Sequence, residues 1–202
     1  SNLGYGQDKL DKLITASGDV KLDLYTSCEA TGIRGEYIRD GLDYAQWRDN
    51  VKYLLESGRF NGIHVMCTIN ALCIQDLWNL LSQIMTWRLK YGKDAIAFTL
   101  NILRFPSFQS PLVLDRKHKE QAVANLNTFM EVYGGGTLHE HEINHIRRLQ
   151  EYLMSVSKPH SETFDMPKLH NDFKQFYTQY DQRRDKNFVE AFPEYKDWYN
   201  GL

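Results

Sequence analysis

Three short stretches alternate between apolar and polar residues, and segments of helix length separate them. This spacing constrains the fold more than any other feature of the chain. The first stretch, residues 20–27, reads VKLDLYTS, so Leu22, Leu24 and Thr26 point one way and Asp23, Tyr25 and Ser27 the other. The second, residues 63–70, reads IHVMCTIN, with Val65, Cys67 and Ile69 on one side and His64, Met66, Thr68 and Asn70 on the other. The third, residues 95–103, reads AIAFTLNIL. Between them, a helical pattern near 43–57 puts Trp47, Val51, Leu54 and Leu55 on one stripe, and another over 74–90 does the same with Leu77, Leu81, Ile84 and Leu89. Connections of this length rule out hairpins, so the strands are expected to be parallel with right-handed crossovers. Parallel strands are usually apolar on both faces. Here Asp23, Tyr25, Ser27, His64, Met66, Thr68, Asn70, Thr99 and Asn101 share one polar-leaning face. Such a face either lines a cleft for a polar ligand or is closed by water and side-chain hydrogen bonds.

The rest of the chain reads as helix. Residues 8–17 form a short leading helix. After the proline-interrupted segment from Arg104 to Pro111, helices are expected from Asp115 to about Tyr133, from Leu138 to about Val156 and up to about Arg184, with a shorter one near the tail. Thr137 is the expected N-cap of the second of these, with Glu140 completing a capping box. Residues 157–168 read as a loop containing Pro159 and Pro167. The expected organisation is therefore a parallel strand-helix part, 1–110, followed by a helical extension, 111–202, packed on it.

A formal net charge of −2 on 202 residues gives no support for a broad nucleic-acid-binding face. No run of 18 apolar residues exists to span a membrane, and the polar start SNLGYGQDKLDK has no signal-peptide pattern. The three cysteines, Cys28, Cys67 and Cys73, are sparse and odd in number, which fits a reducing compartment, and a cytoplasmic location is expected. The chain opens on Ser1-Asn2 rather than Met, as expected of a processed chain or of a start inside a longer reading frame.

Ligands in parallel α/β folds gather at the carboxyl ends of strands. The stretch from Ser27 to Arg39 is therefore the first place to expect chemistry, and it reads as a polar loop turning at Gly32 and Gly35. A guanidinium there, Arg34 or Arg39, is a suitable clamp for a carboxylate or phosphate. Glu29 and Glu36 are placed to hold ribose hydroxyls. The same residues equally suit an ion-pair network that fixes the loop. Asn70 at the end of the second strand is either a ligand contact or a cap. Farther along, His141-Glu142-Ile143-Asn144-His145 matches the His-Glu-X-X-His pattern of zinc hydrolases, although the first turns of a solvated helix account for it as well.

Four stretches carry a family resemblance. LYTSCEATGIRGEYIRDGLDYAQWRDNVKYLL resembles the fourth strand, loop and helix of radical S-adenosylmethionine proteins of the type with a short twitch region. VMCTINALCIQDLWNLLSQI resembles the fifth strand and helix of that family. FTLNILRFPSFQSPLVLDRKHKEQAV is similar to the sixth strand and the turn into the C-terminal extension, and FYTQYDQRRDKNFVEAFPEY to the end of such chains. The resemblance implies half of a partial TIM-type (β/α)6 barrel. It places Ser27, Glu29, Glu36, Arg39 and Asn70 around the S-adenosylmethionine of a full-length parent. The parent would also hold a [4Fe-4S] cluster on a Cys-X3-Cys-X2-Cys loop. That loop and the first three strand-helix units are absent from this sequence, so the resemblance implies a fragment with no cofactor of its own and no activity alone. Its expected partner is the missing half or a second copy across the open sheet edge, with packing of the C-terminal helices across the opening as the other solution. A stand-alone α/β binding or assembly module, and a zinc hydrolase using His141, Glu142 and His145, are the other readings.

Overall fold

The computed structural model describes residues 3–155 and 165–202. Helix α1 (Gln7–Ser17) leads into β1 (Leu22–Ser27), α2 (Gly32–Ile38) and α3 (Tyr44–Ser57). Strand β2 (Phe60–Ile69), α4 (Leu77–Tyr91) and β3 (Ile96–Ile102) follow. The rest is helical: α5 (Arg116–Tyr133), α6 (Glu140–Ser155), α7 (Met166–Arg184), α8 (Phe188–Ala191) and α9 (Lys196–Gly201). The three strands form one parallel sheet in the order β1-β2-β3. The fold is α/β, as the spacing of the alternating runs requires. Among the described residues no helix is long and apolar enough to cross a membrane.

The alternation read from the sequence holds in the register. Leu24 pairs with Ile63, Thr26 with Val65 and Val65 with Phe98, and this face carries the core. Thr26 belongs there despite its hydroxyl because it accepts the indole N–H of the fully buried Trp47 at 2.9 Å. The core continues without a break from Leu10 through Trp47, Phe98 and Phe129 to Phe173 and Tyr195. The opposite face is open over β1 and β2. Tyr25 is 56% exposed and Met66 39%, Thr68 and Asn101 are exposed, and Tyr25 stacks on His64 at 4.6 Å.

The two sheet edges are treated differently. Helix α6 runs along β3 and satisfies its outer edge with side chains. The Glu142 carboxylate accepts the N–H of Phe98 at 2.9 Å, and His145 Nδ1 accepts that of Leu100 at 2.9 Å. Arg148 donates to the Leu100 carbonyl at 2.8 Å, and Arg88 of α4 to that of Ile96 at 2.7 Å. Side chains thus replace a neighbouring strand, and the exposed-edge hazard is removed. No strand pairs the outer edge of β1 among the described residues. Among the described residues no C-terminal helix covers the face over β1 and β2, so the expected packing across the opening is not seen there; α6 spends its polar groups on the β3 edge instead.

His145 can accept the Leu100 N–H only while its imidazole is neutral. Burial pushes its pKa below the usual histidine value, and the charges of Arg148 and His141 push in the same direction. The unfolded chain takes up this proton at about pH 6.5, so the folded state binds fewer protons just below that pH. The contribution of His145 to stability is therefore complete above about pH 6.5 and lost as pH falls through the lower folded value. His145→Gln keeps an acceptor that does not titrate. It is expected to flatten the fall in urea midpoint between about pH 7 and 5 relative to the parent. Parallel curves for the two proteins would show that this bond is not the sensor.

Five details depart from the sequence reading. Leu89, read on the apolar stripe of the 74–90 helix, is 77% exposed, because that helix buries Leu80 and Met85 beside Leu77, Leu81 and Ile84 instead. The stretch after β1 is not all loop, since 32–38 form α2. Its two glycines obscured this, yet Gly35 is required there, because an added Cβ would sit 2.4 Å from the Ala30 carbonyl oxygen. Helix α4 starts at Leu77 rather than 74, because the Asn70 carboxamide caps a turn through 71–76 first. The cap of α6 falls two residues beyond Thr137. His139 precedes the helix, and Glu142 reaches back to accept its N–H at 2.9 Å. Pro167 lies inside the first turn of α7, where a missing N–H costs nothing, with Asp165 capping Lys168 N. Val156 and Pro159 lie outside the described residues.

Candidate functional site

Three chain segments meet at the carboxyl end of the sheet: the 28–39 segment, the 70–76 turn and the C-terminal tail. Asp76 joins the first two. Its side chain is 1% exposed and accepts four hydrogen bonds from three residues. Thr31 donates its N–H at 2.5 Å and its hydroxyl at 2.8 Å, Arg34 donates at 3.0 Å, and Asn79 donates at 2.7 Å. Arg34 carries the network to the tail, donating to Glu194 at 2.7 Å and to the Ala191 carbonyl at 3.3 Å. Of the two arginines the sequence offered as a clamp, Arg34 is thus the framework one. Asp76 went unnoticed in the sequence because an aspartate before a helix reads as an ordinary cap, and only the fold brings Thr31 and Arg34 to it.

Arg39 is placed differently. Its Nε and Nη2 form a two-point pair with Glu29, at 3.1 and 2.5 Å. That pair holds the guanidinium positively charged, and its Nη1 has no partner among the described residues. Glu29, Ile38, Arg39, Thr68 and Asn70 line a cavity of about 280 Å³. The structure therefore brings Glu29, Arg39 and Asn70 together. Glu29 is 2% exposed and serves mainly to fix Arg39. Asn70 is largely engaged, since its Oδ1 accepts the N–H groups of Leu72 and Cys73 at 2.9 and 3.1 Å. Its capping role is thus observed, and its flank still borders the cavity.

The other two expected residues do not reach this cavity. Ser27 sits on the open sheet face in register with Met66. Glu36 points away, accepts the Tyr44 N–H at 3.0 Å, and borders a separate depression with Lys186. A larger cavity, about 370 Å³, lies at the amino ends of β2 and β3 beside Phe60 and Asp94. The carboxyl-end cavity is the better site, because a fixed cation faces it and parallel sheets present their loops there.

The cysteines do not suit a cluster. Cys28, Cys67 and Cys73 are all buried, and burial pushes their thiols well above the usual value, so they stay protonated. Nor does the His-Glu-X-X-His stretch keep a free base. Glu142 is fully buried against Arg88 and the Phe98 N–H, and His145 is committed to Leu100. Comparison with protein-family models, with curated proteins and with solved structures finds no match to this chain.

Proposed function

We propose that this chain is the C-terminal half of a partial (β/α)6-barrel enzyme of the radical S-adenosylmethionine type. In this reading it contributes part of the cofactor and substrate pocket and is inert alone. One observation carries the reading. A parallel sheet ordinarily has both faces covered; here α6 closes the β3 edge, and among the described residues the β1 edge is unpaired and the face over β1 and β2 is uncovered. The open edge is that of β1, the first strand, where preceding strands of the same sheet would join. Glu29, Arg39 and Asn70 then stand on the side of the mouth that faces the missing half.

In this reading Arg39, fixed by Glu29, binds the carboxylate of the cofactor, while the iron site belongs to the preceding half. A strand-helix unit takes about 30 residues. An in-frame Cys-X3-Cys-X2-Cys should therefore occur about 80 to 100 residues upstream of Ser1, and the reading frame decides this directly. Co-expression with that upstream segment is expected to give a stable complex that binds S-adenosylmethionine. Arg39→Lys, which cannot keep the two-point pair with Glu29, should weaken that binding about tenfold with little change in complex formation. An upstream frame without the cysteine triad would end the proposal.

A further inference from the structure

A second cavity of about 140 Å³ adjoins the Arg39 cavity, and the two share Ile38 and Asn70 as a common wall. The character changes across that wall. Beyond it, the second cavity is bounded by Tyr37, Leu72, Phe176, Tyr177 and Tyr180, with Gln109 as a polar residue on its edge. These rings hold one another in place. Tyr37 and Tyr180 are 5.2 Å apart, and Phe176 meets Tyr177 edge-on at 5.0 Å. Two of the three tyrosine hydroxyls are engaged elsewhere. Tyr37 donates to Asp181 at 2.6 Å and Tyr180 to the Tyr37 carbonyl at 2.8 Å, so these two offer the cavity ring carbon rather than phenol oxygen.

Phe176 is 39% exposed, whereas Phe173 and Tyr177 on the same helix are buried. The exposed side of Phe176 borders the hollow, so a ring seated there would cover it. The volume suits one ring, since an apolar cavity of about 150 Å³ accepts benzene.

We infer that this aromatic half binds a single planar aromatic ring of the ligand, seated against Phe176 and Tyr180, next to the charged group held at Arg39. Calling that ligand the substrate rests on the function proposed above, whereas the ring binding rests on the cavity alone. The rings are positioned for edge and face contacts that a branched aliphatic group of similar size cannot make.

The test titrates the chain with N-acetyl-L-phenylalaninamide and, separately, N-acetyl-L-leucinamide, following backbone amide shifts by NMR. The phenylalanine probe should bind at least fivefold more tightly and shift the amides of Leu72, Gln109 and Tyr180. Phe176→Ala should weaken it at least fivefold, and Phe176→Leu, which keeps apolar volume, should do so too. Thermal unfolding of both variants checks that they remain folded. Equal affinity for the two probes, no saturable binding, or full affinity in folded Phe176→Leu would overturn the inference. A parallel titration with S-adenosylmethionine addresses only the Arg39 half, so its failure would count against the proposed function and leave the ring site standing.

Discussion

Replacing Glu142 with alanine is expected to lower the unfolding free energy by about 3–5 kcal/mol, the usual cost of breaking a buried ion pair from one side. Both side chains are almost wholly buried, at 1% exposed for Arg88 and 0% for Glu142. The guanidinium reaches Glu142 through two nitrogens, one of them at 2.7 Å, and also bonds Thr137 and Ile96 carbonyls. Alanine would leave that cation buried without its counter-charge. It would also leave the N–H groups of Phe98 and His139 without an acceptor. The double variant Arg88→Met, Glu142→Leu removes both charges, yet it cannot accept those N–H groups. It should recover part of the loss and stay about 2 kcal/mol or more below the parent, because an unmet buried N–H costs about 1–3 kcal/mol. Urea titrations followed by circular dichroism measure all three proteins. A loss below about 1 kcal/mol in Glu142→Ala would show that the β3 edge does not depend on this pair.

Asp76→Ala should cost about 3 kcal/mol, since it strands a buried amide, a hydroxyl and one arm of Arg34 together. Its effect on the site should exceed its effect on the sheet. Asp76 ties Thr31 to the start of α4, and Arg34 passes that restraint to Glu194 and Ala191. Amide hydrogen exchange in 28–39 and 188–195 is expected to rise well before exchange in β2 and β3 does. Asp76→Asn keeps the volume but turns one acceptor into a donor facing Thr31 or Arg34, so it should show the same pattern with a smaller loss. Unchanged protection of both segments in Asp76→Ala would remove this residue from the frame of the site.

Much of the fold could be read from the chain because strand pattern and spacing are local properties. Two-residue alternation over 22–27 and 63–69 fixed which side chains turn inward, and helix-length connectors left parallel pairing as the solution. The candidate site was only half legible. Glu29, Arg39 and Asn70 could be found because they follow strand ends. Arg34 and Arg39 could not be told apart, since their difference lies in partners 42 and 10 residues away. The role of Glu142 was hidden for a similar reason. A histidine-flanked glutamate near a helix start reads as surface chemistry, and only contact with β3 shows it to be an edge closure.

The sequence by itself determined a parallel three-stranded α/β sheet with one apolar and one polar face, because those follow from the period of the side chains. Tertiary structure alone decided which edge is closed, which arginine faces a cavity and where the aromatic rings of α7 gather. Those outcomes depend on hydrogen-bond partners drawn from distant segments, and a donor or acceptor carries no local mark of the group it will meet.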